Sequence, residues 1–129
     1  MVVTAKAHRH VLELRAAYDK ALEEVDVLIT PTSPTVASKH ADVRPEAEGG
    51  SSVMDKIWLV VGAMSNTCPF NATGHPAINV PCGWGDADGE AGEKLPIGMQ
   101  IIGKRFDDMS VLKAASVFED GGGGLGPWK

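Results

Sequence analysis

The side chains of this sequence that could act on a substrate are a few serines, two cysteines and one histidine in a turn. Gly49-Gly-Ser-Ser52 places two serines after a pair of glycines. An unactivated serine is a poor nucleophile. It needs a base within hydrogen-bond reach and N–H groups to hold the oxyanion. No glycine-rich run follows these serines, and Ser52-Val-Met-Asp55 has the spacing of a capping box with Asp in place of Glu. Ser52 is therefore read as a helix N-cap. Cys68 and Cys82 flank a turn-rich stretch, and two buried, reduced thiols are expected there rather than a nucleophile or a metal site. His75 lies between Gly74 and Pro76. A general base at that point needs a nucleophile and an orienting acid, and the sequence names neither. His8, His10 and His40 read as surface residues.

Three further patterns fail for want of context. Gly121-x-Gly123-x-x-Gly126 has the dinucleotide spacing but follows a helix instead of a strand. Asp86-x-Asp88-Gly89 lacks the remaining calcium ligands and their spacing. Asn71-Ala-Thr73 is a glycosylation sequon in a chain with no signal peptide at its start.

The elements that position these groups follow from periodicity. Val11, Leu14, Tyr18, Ala21, Leu22 and Val25 predict an amphipathic helix over 4–25, with Thr4 as a candidate cap. Asp26-Val-Leu-Ile-Thr30 is a short unbroken apolar run, as expected of a strand buried on both faces in a largely parallel sheet. Residues 37–52 are polar and aperiodic and are expected to form a surface loop. Met54, Ile57, Trp58, Val61 and Met64 predict a helix over 53–66. The stretch 68–76 is turn-rich. Strands are expected at 77–81 and 95–103, with Pro96 at the start of the latter. Between them, 83–94 carries four glycines and four acids and reads as a hairpin-type loop. Asp107 is positioned to cap a helix over 108–119, with Val111, Leu112, Ala115 and Phe118 on its apolar face. Residues 120–129 are expected to be a flexible tail. The class is α/β, a partial mixed sheet with flanking helices. Three strands of buried type with so few covering helices imply missing neighbours.

Composition sets outer bounds. The 129 residues and 13.6 kDa suit one domain, with 43% apolar and 22% charged residues. A net charge of −5 disfavours nucleic acid as partner. No apolar run is long enough to span a membrane. With no leader-like segment at Met1–His10, the cytoplasm is the expected compartment.

Taken in order, three segments resemble one family. Arg15-Ala-Ala-Tyr18 through Asp26-Val-Leu-Ile-Thr-Pro-Thr-Ser-Pro34 is similar to a helix–strand–turn near the end of the amidase signature enzymes. Asn71-Ala-Thr-Gly-His-Pro-Ala-Ile-Asn-Val-Pro81 is similar to their C-terminal Asn-x-x-Gly-x-Pro-Ala segment. Leu95-Pro-Ile-Gly-Met-Gln-Ile-Ile-Gly103, followed by Phe106-Asp-Asp108 and a helix, is similar to their closing strand and helix. The resemblance runs from about Arg9 to Glu119. It implies a serine hydrolase of carboxamides with no metal or organic cofactor. It also implies that this chain is the C-terminal portion only. The family's Ser nucleophile, its bridging Ser on a cis peptide and its Lys base lie in a region with no counterpart here, so no catalytic residue is assigned. By the same resemblance Val61, Met64 and Cys68 line the acyl-side wall of the substrate pocket, with a core face as the alternative reading. Asn71, Gly74, Pro76, Pro81, Gly98 and Gln100 match the family pattern and are read as architecture. Gly74 would permit a positive φ and Asn71 would bond neighbouring backbone.

Three readings follow. The chain is the C-terminal section of an amidase whose chemistry lies elsewhere. Alternatively, it is an inactive truncated remnant, which its start at Met1 just before a mid-family helix favours. The third reading is a subunit completing a separate chain that carries the triad. Alone, the chain is expected to be poorly stable, since strands suited to burial would be exposed as sheet edges.

Overall fold

The computed structural model describes residues 2–87 and 90–124. Residues 88 and 89 of the expected acidic turn, Gly126 of the dinucleotide-like spacing and residues 125–129 of the expected tail lie outside the described residues. The elements among the described residues are α1 (Val2–Glu24), β1 (Val27–Pro31), α2 (Val53–Ala63), α3 (Cys68–Thr73), β2 (Ala77–Ala87), β3 (Glu90–Gly103) and α4 (Asp108–Asp120), with a 3₁₀ turn at Glu46–Glu48. Helix α1 starts before Thr4, which therefore sits inside the helix and does not cap it.

The strands form one sheet in the order β1-β3-β2. Both pairings are antiparallel, with Ile29 opposite Ile101 and Val80 opposite Met99. The parallel arrangement expected from the unbroken apolar run of β1 is thus replaced. β1 is an edge strand, and its residues are half-buried or exposed. Val27 packs against the core, whereas Ile29 is 60% exposed, so among the described residues the apolar run is covered only in part.

β2 and β3 are longer than the sequence suggested. Much of 83–94, expected as a loop, continues the ladder, with Trp84 opposite Pro96 and Asp86 opposite Lys94. Asp86 and Lys94 form an ion pair across it. The register shifts between Pro81 and Gly83 and again between Asp86 and Ala87, which is where glycines and small residues admit bulges. Pro96 lies inside β3, not at its start. β1 pairs with β3 only from Met99 onward, so one side of the strand is open at Pro96 and a missing N–H does little harm there.

The largest core cluster sits between the sheet and α4. Val80, Ile101, Val111 and Ala115 are buried, with Val27, Ile78, Met99, Ala114 and Phe118 packed against them. Asp107 caps α4 as expected, accepting from the Ser110 N–H at 3.3 Å. Gly103 lets the helix approach: a Cβ there would lie 2.4 Å from Val111 Cγ2. Leu112, expected on the apolar face of α4, is half exposed. Since side chains alternate along a strand, Gln100 and Ile102 point from β3 to the opposite face from Ile101. Both are buried there.

Segment 37–52 is partly organised. The Asp42 N–H donates to Ser51 Oγ at 3.1 Å and the Ser51 N–H to Asp42 O at 3.2 Å, and Gly49 takes a left-handed conformation after the 3₁₀ turn. The turn-rich 68–76 stretch contains a helix, α3. Pro69 is tolerated in its first turn, where N–H groups are unpaired in any case. Gly74 ends α3 at φ 79° with its N–H bonded to Phe70 O at 2.9 Å. That is the positive φ expected of it.

Candidate functional site

Two regions bring functional side chains together. The first surrounds His75, whose side chain is fully buried. Its Nδ1 lies 2.8 Å from Thr73 Oγ1, and its Nε2 lies 3.3 Å from Asp19 Oδ1 on α1. Nε2 makes no well-formed hydrogen bond among the described residues. Arg105 donates to both carboxylate oxygens of Asp19 at 2.9 Å. Arg15 donates to Thr73 O at 2.9 Å. Tyr18 closes the cluster against Phe70, at 5.0 Å between ring centroids, and edge-on to His75 at 5.6 Å.

Burial pushes the His75 pKa down, and the nearby Asp19 charge opposes that shift. Arg105 and Arg15 add to the lowering. The Arg105 guanidinium holds the Asp19 carboxyl below the ordinary carboxylate range. Near neutral pH the cluster thus holds a neutral imidazole beside a closed ion pair. Hydroxyl, imidazole and carboxylate here stand in the order of a nucleophilic relay. Yet Thr73 has no exposed surface and the His75 ring has none, so no substrate carbonyl reaches the hydroxyl. The arrangement is a clasp joining α1, α3 and the turn before α4.

The second region is α2 and the segment facing it. Ser52 caps α2 as expected: it accepts from the Asp55 N–H at 3.0 Å, and Asp55 accepts from the Ser52 backbone N–H at 3.3 Å. With about 100° between successive residues, Val53, Ile57, Val60, Val61 and Met64 share one face. Trp58, Leu59, Gly62 and Ala63 share the opposite face and line a groove of about 410 Å³ against Ser33–Ser38. On its other side, the same segment borders a groove of about 570 Å³ over Asn79, Pro96, Ile97 and Gly98. Thr32 bonds Asn79 across Gly98, where a Cβ would lie 2.3 Å from Asn79 Oδ1. Gln100 donates to Thr30 Oγ1 at 3.3 Å and Asn66 O at 3.2 Å, and Asn66 donates to Pro31 O at 3.0 Å. These bonds fix the turn after α2 to β1 and β3.

Of the residues expected to line a pocket wall, Val61 and Met64 sit together on the face of α2 turned away from the groove, 48% and 43% exposed. Cys68 opens α3 beyond the intervening turn and is exposed. Both cysteines are free and exposed rather than buried. Cys68 heads a short helix, and Cys82 sits at the β2 register shift, positions where the side chain turns out of the core. Asn71, expected to bond neighbouring backbone, is exposed and makes no side-chain hydrogen bond among the described residues. Pro76 accepts from the Gly103 N–H at 3.0 Å, tying the start of β2 to the end of β3. Asp19 as partner of His75 was not visible in the sequence, because the two meet only through the packing of α1 on α3.

The profile of the amidase family, described as Amidase, matches residues 1–112. The chain belongs to the amidase family. Its relatives include a glutamyl-tRNA(Gln) amidotransferase subunit from Methanosarcina barkeri, 43% identical over 102 residues. That match covers 79% of this chain and 18% of the relative. A protein of Rhodococcus erythropolis from the nthA 5′ region is 40% identical over 114 residues, covering 88% of this chain and 51% of that protein. The crystal structure of the corresponding glutamyl-tRNA(Gln) amidotransferase subunit from Thermotoga maritima superposes with a TM-score of 0.63 at 27% identity, over 91% of this chain and 22% of that one. Over 91% of its length the chain therefore takes up part of the amidase α/β fold, and it spans about a fifth of the amidotransferase subunits it matches. Among the described residues no helix is long and apolar enough to cross a membrane, and no three His, Cys, Asp or Glu side chains gather as a metal site.

Proposed function

We propose that this chain is the C-terminal segment of an amide-hydrolysing enzyme, supplying sheet scaffold and one wall of the substrate pocket. The serine nucleophile, the bridging serine and the lysine base belong to the remainder of the fold, on a longer polypeptide or on a partner chain. One observation carries this reading. Helix α2 is apolar nearly all round, and none of its residues is buried. A helix of that kind belongs in the interior of a larger protein. The span of about a fifth of the amidotransferase subunits supports the same reading, as does the sealing of Thr73 and His75 away from any substrate.

In the complete enzyme the serine oxygen attacks the amide carbonyl carbon. The C–N bond then breaks, and the proton taken by the base leaves with the amine. Water next hydrolyses the ester, releasing the acid and restoring the serine. The contribution of this chain is positional, through Val61, Met64 and Cys68 on the wall and through the Gln100–Asn66–Pro31 bonds that hold the turn behind them. The cytoplasm is the compartment that fits two free thiols.

The test is an assay of the isolated 129 residues against a panel of primary and aryl carboxamides. No turnover above buffer is expected, while the assembly isolated from the source cells hydrolyses members of the panel. Turnover by the isolated chain at the rate of the assembly overturns the assignment of the chemistry to other residues.

A further inference from the structure

We propose that the wall contributed by this chain selects a carboxamide whose acyl group is uncharged and apolar, an alkyl or aryl amide. This rests on the reading of the chain as part of an amidase and names the substrate class of that same site.

Two stretches supply the assigned wall residues and the α2 groove, with the charged Asp55 and Lys56 confined to the first turn of α2. From Ile57 to Gly74 the sequence has no Asp, Glu, Lys, Arg or His, and from Val27 to Ser38 it has none either. The first contains Val61, Met64 and Cys68, and together the two provide the α2 groove. The second groove adds only Asn79, Pro96, Ile97 and Gly98. Whichever of these surfaces meets the substrate, it offers no charge. Several polar groups near by are neutral and already engaged: Thr32 with Asn79, Asn66 with Pro31 O, and Gln100 with Thr30 and Asn66 O. The Asp19–Arg105 pair is closed on itself at both carboxylate oxygens. A carboxylate or ammonium on the acyl group would lose its water against this wall with no counter-charge to replace it. An alkyl or aryl group would gain from the same burial.

The experiment uses the assembly that carries this chain, purified from its source cells. Steady-state hydrolysis is compared for 4-methylbenzamide, 4-(aminomethyl)benzamide, 4-carbamoylbenzoate and glutamine. The neutral amide is expected to lead each charged one by about tenfold or more in kcat/KM, the scale on which a pocket discriminates apolar from mismatched groups. Equal or better turnover of any charged amide overturns the inference and leaves the amidase reading standing. If no amide is hydrolysed, the amidase reading falls, and ligand-observed NMR competition with the same four compounds decides the ligand class. Tighter binding of the neutral amide supports the inference, and equal binding or none overturns it. Val61→Asp adds a check on the surface itself. It is expected to narrow the ratio of neutral to cationic amide by about tenfold, and an unchanged ratio in a folded variant overturns the assignment of this wall. Should Val61→Asp fail to assemble, the wild-type panel still decides.

Discussion

Helices α4 and α2 flank the same short chain, and they meet opposite circumstances. α4 is mixed in character, with Lys113, Glu119 and Asp120 among its residues, yet it buries Val111 and Ala115 against Val80 and Ile101. α2 is the more apolar of the two and is well capped, yet it buries nothing. Trp58, Val60 and Ile57 are 63%, 60% and 47% exposed. The difference shows that apolarity alone does not bury a helix; a complementary surface does. β2 and β3 provide that surface for α4. For the outer face of α2, the described residues provide none. The same reasoning covers β1, whose apolar edge fits a neighbour that the remainder of an amidase fold would bring.

That contrast can be broken or sharpened by substitution, read by hydrogen exchange at the two helices so that each side reports separately. The largest effect is expected at the α4 side. Ile101→Ala should cost about 2–5 kcal/mol of protection in α4 and β3. Val60→Ala in the isolated chain should stay within about 0.5 kcal/mol. A Val60→Ala cost as large as that of Ile101→Ala would mean that α2 is already packed. Next come the glycines. Gly103→Ala drives a Cβ to 2.4 Å from Val111 Cγ2 and should destabilise α4 by about 1–3 kcal/mol. Gly62→Ala meets nothing within 4 Å and should stabilise α2 by about 0.4–1 kcal/mol. A loss at Gly62 in the isolated chain would contradict the openness of that face. Ser52→Ala, removing the cap of α2, should cost about 1 kcal/mol, confined to that helix.

The clasp gives a pH dependence instead of a packing one. Because burial lowers the His75 pKa in the folded state, the unfolded chain takes up that proton first. Its contribution is therefore complete at neutral pH and is lost as pH falls below the ordinary histidine value of about 6.5. Asp19, also lowered, acts further down: its contribution is lost only as pH falls through the carboxylate range. Protection at α1 and α3 is expected to weaken as pH falls below about 6.5, and His75→Gln should flatten that slope. A slope unchanged in His75→Gln would remove His75 as its source.

Much of the local structure was legible in the sequence because it is decided locally. Helical periodicity marked α1, α2 and α4. The Ser52–Asp55 and Asp107 caps and the positive φ of Gly74 followed from residue type and spacing. What was not legible depended on partners distant in the chain. The antiparallel pairing of β1 is set by where β3 returns, and an apolar run does not distinguish a strand buried inside a sheet from an edge strand awaiting cover. Helix α3 was hidden because Pro69 and Gly74 are turn residues in most settings, and both are compatible with a six-residue helix when they stand at its ends. The glycines and acids of 83–94 read as a loop, yet cross-strand partners such as Lys94 for Asp86 carry the ladder through them. Asn66, which the sequence did not single out, ties the turn after α2 to β1, because folding brings together residues 35 apart in the chain.

The most direct test of the central claim is the native mass of the species that contains this chain in its source cells, with its components identified. A mass several times 13.6 kDa is expected. The added protein, covalent or not, is expected to carry the two serines and the lysine and to shield α2 from exchange. A stable monomer of 13.6 kDa with α2 protected as well as α4 would contradict the claim.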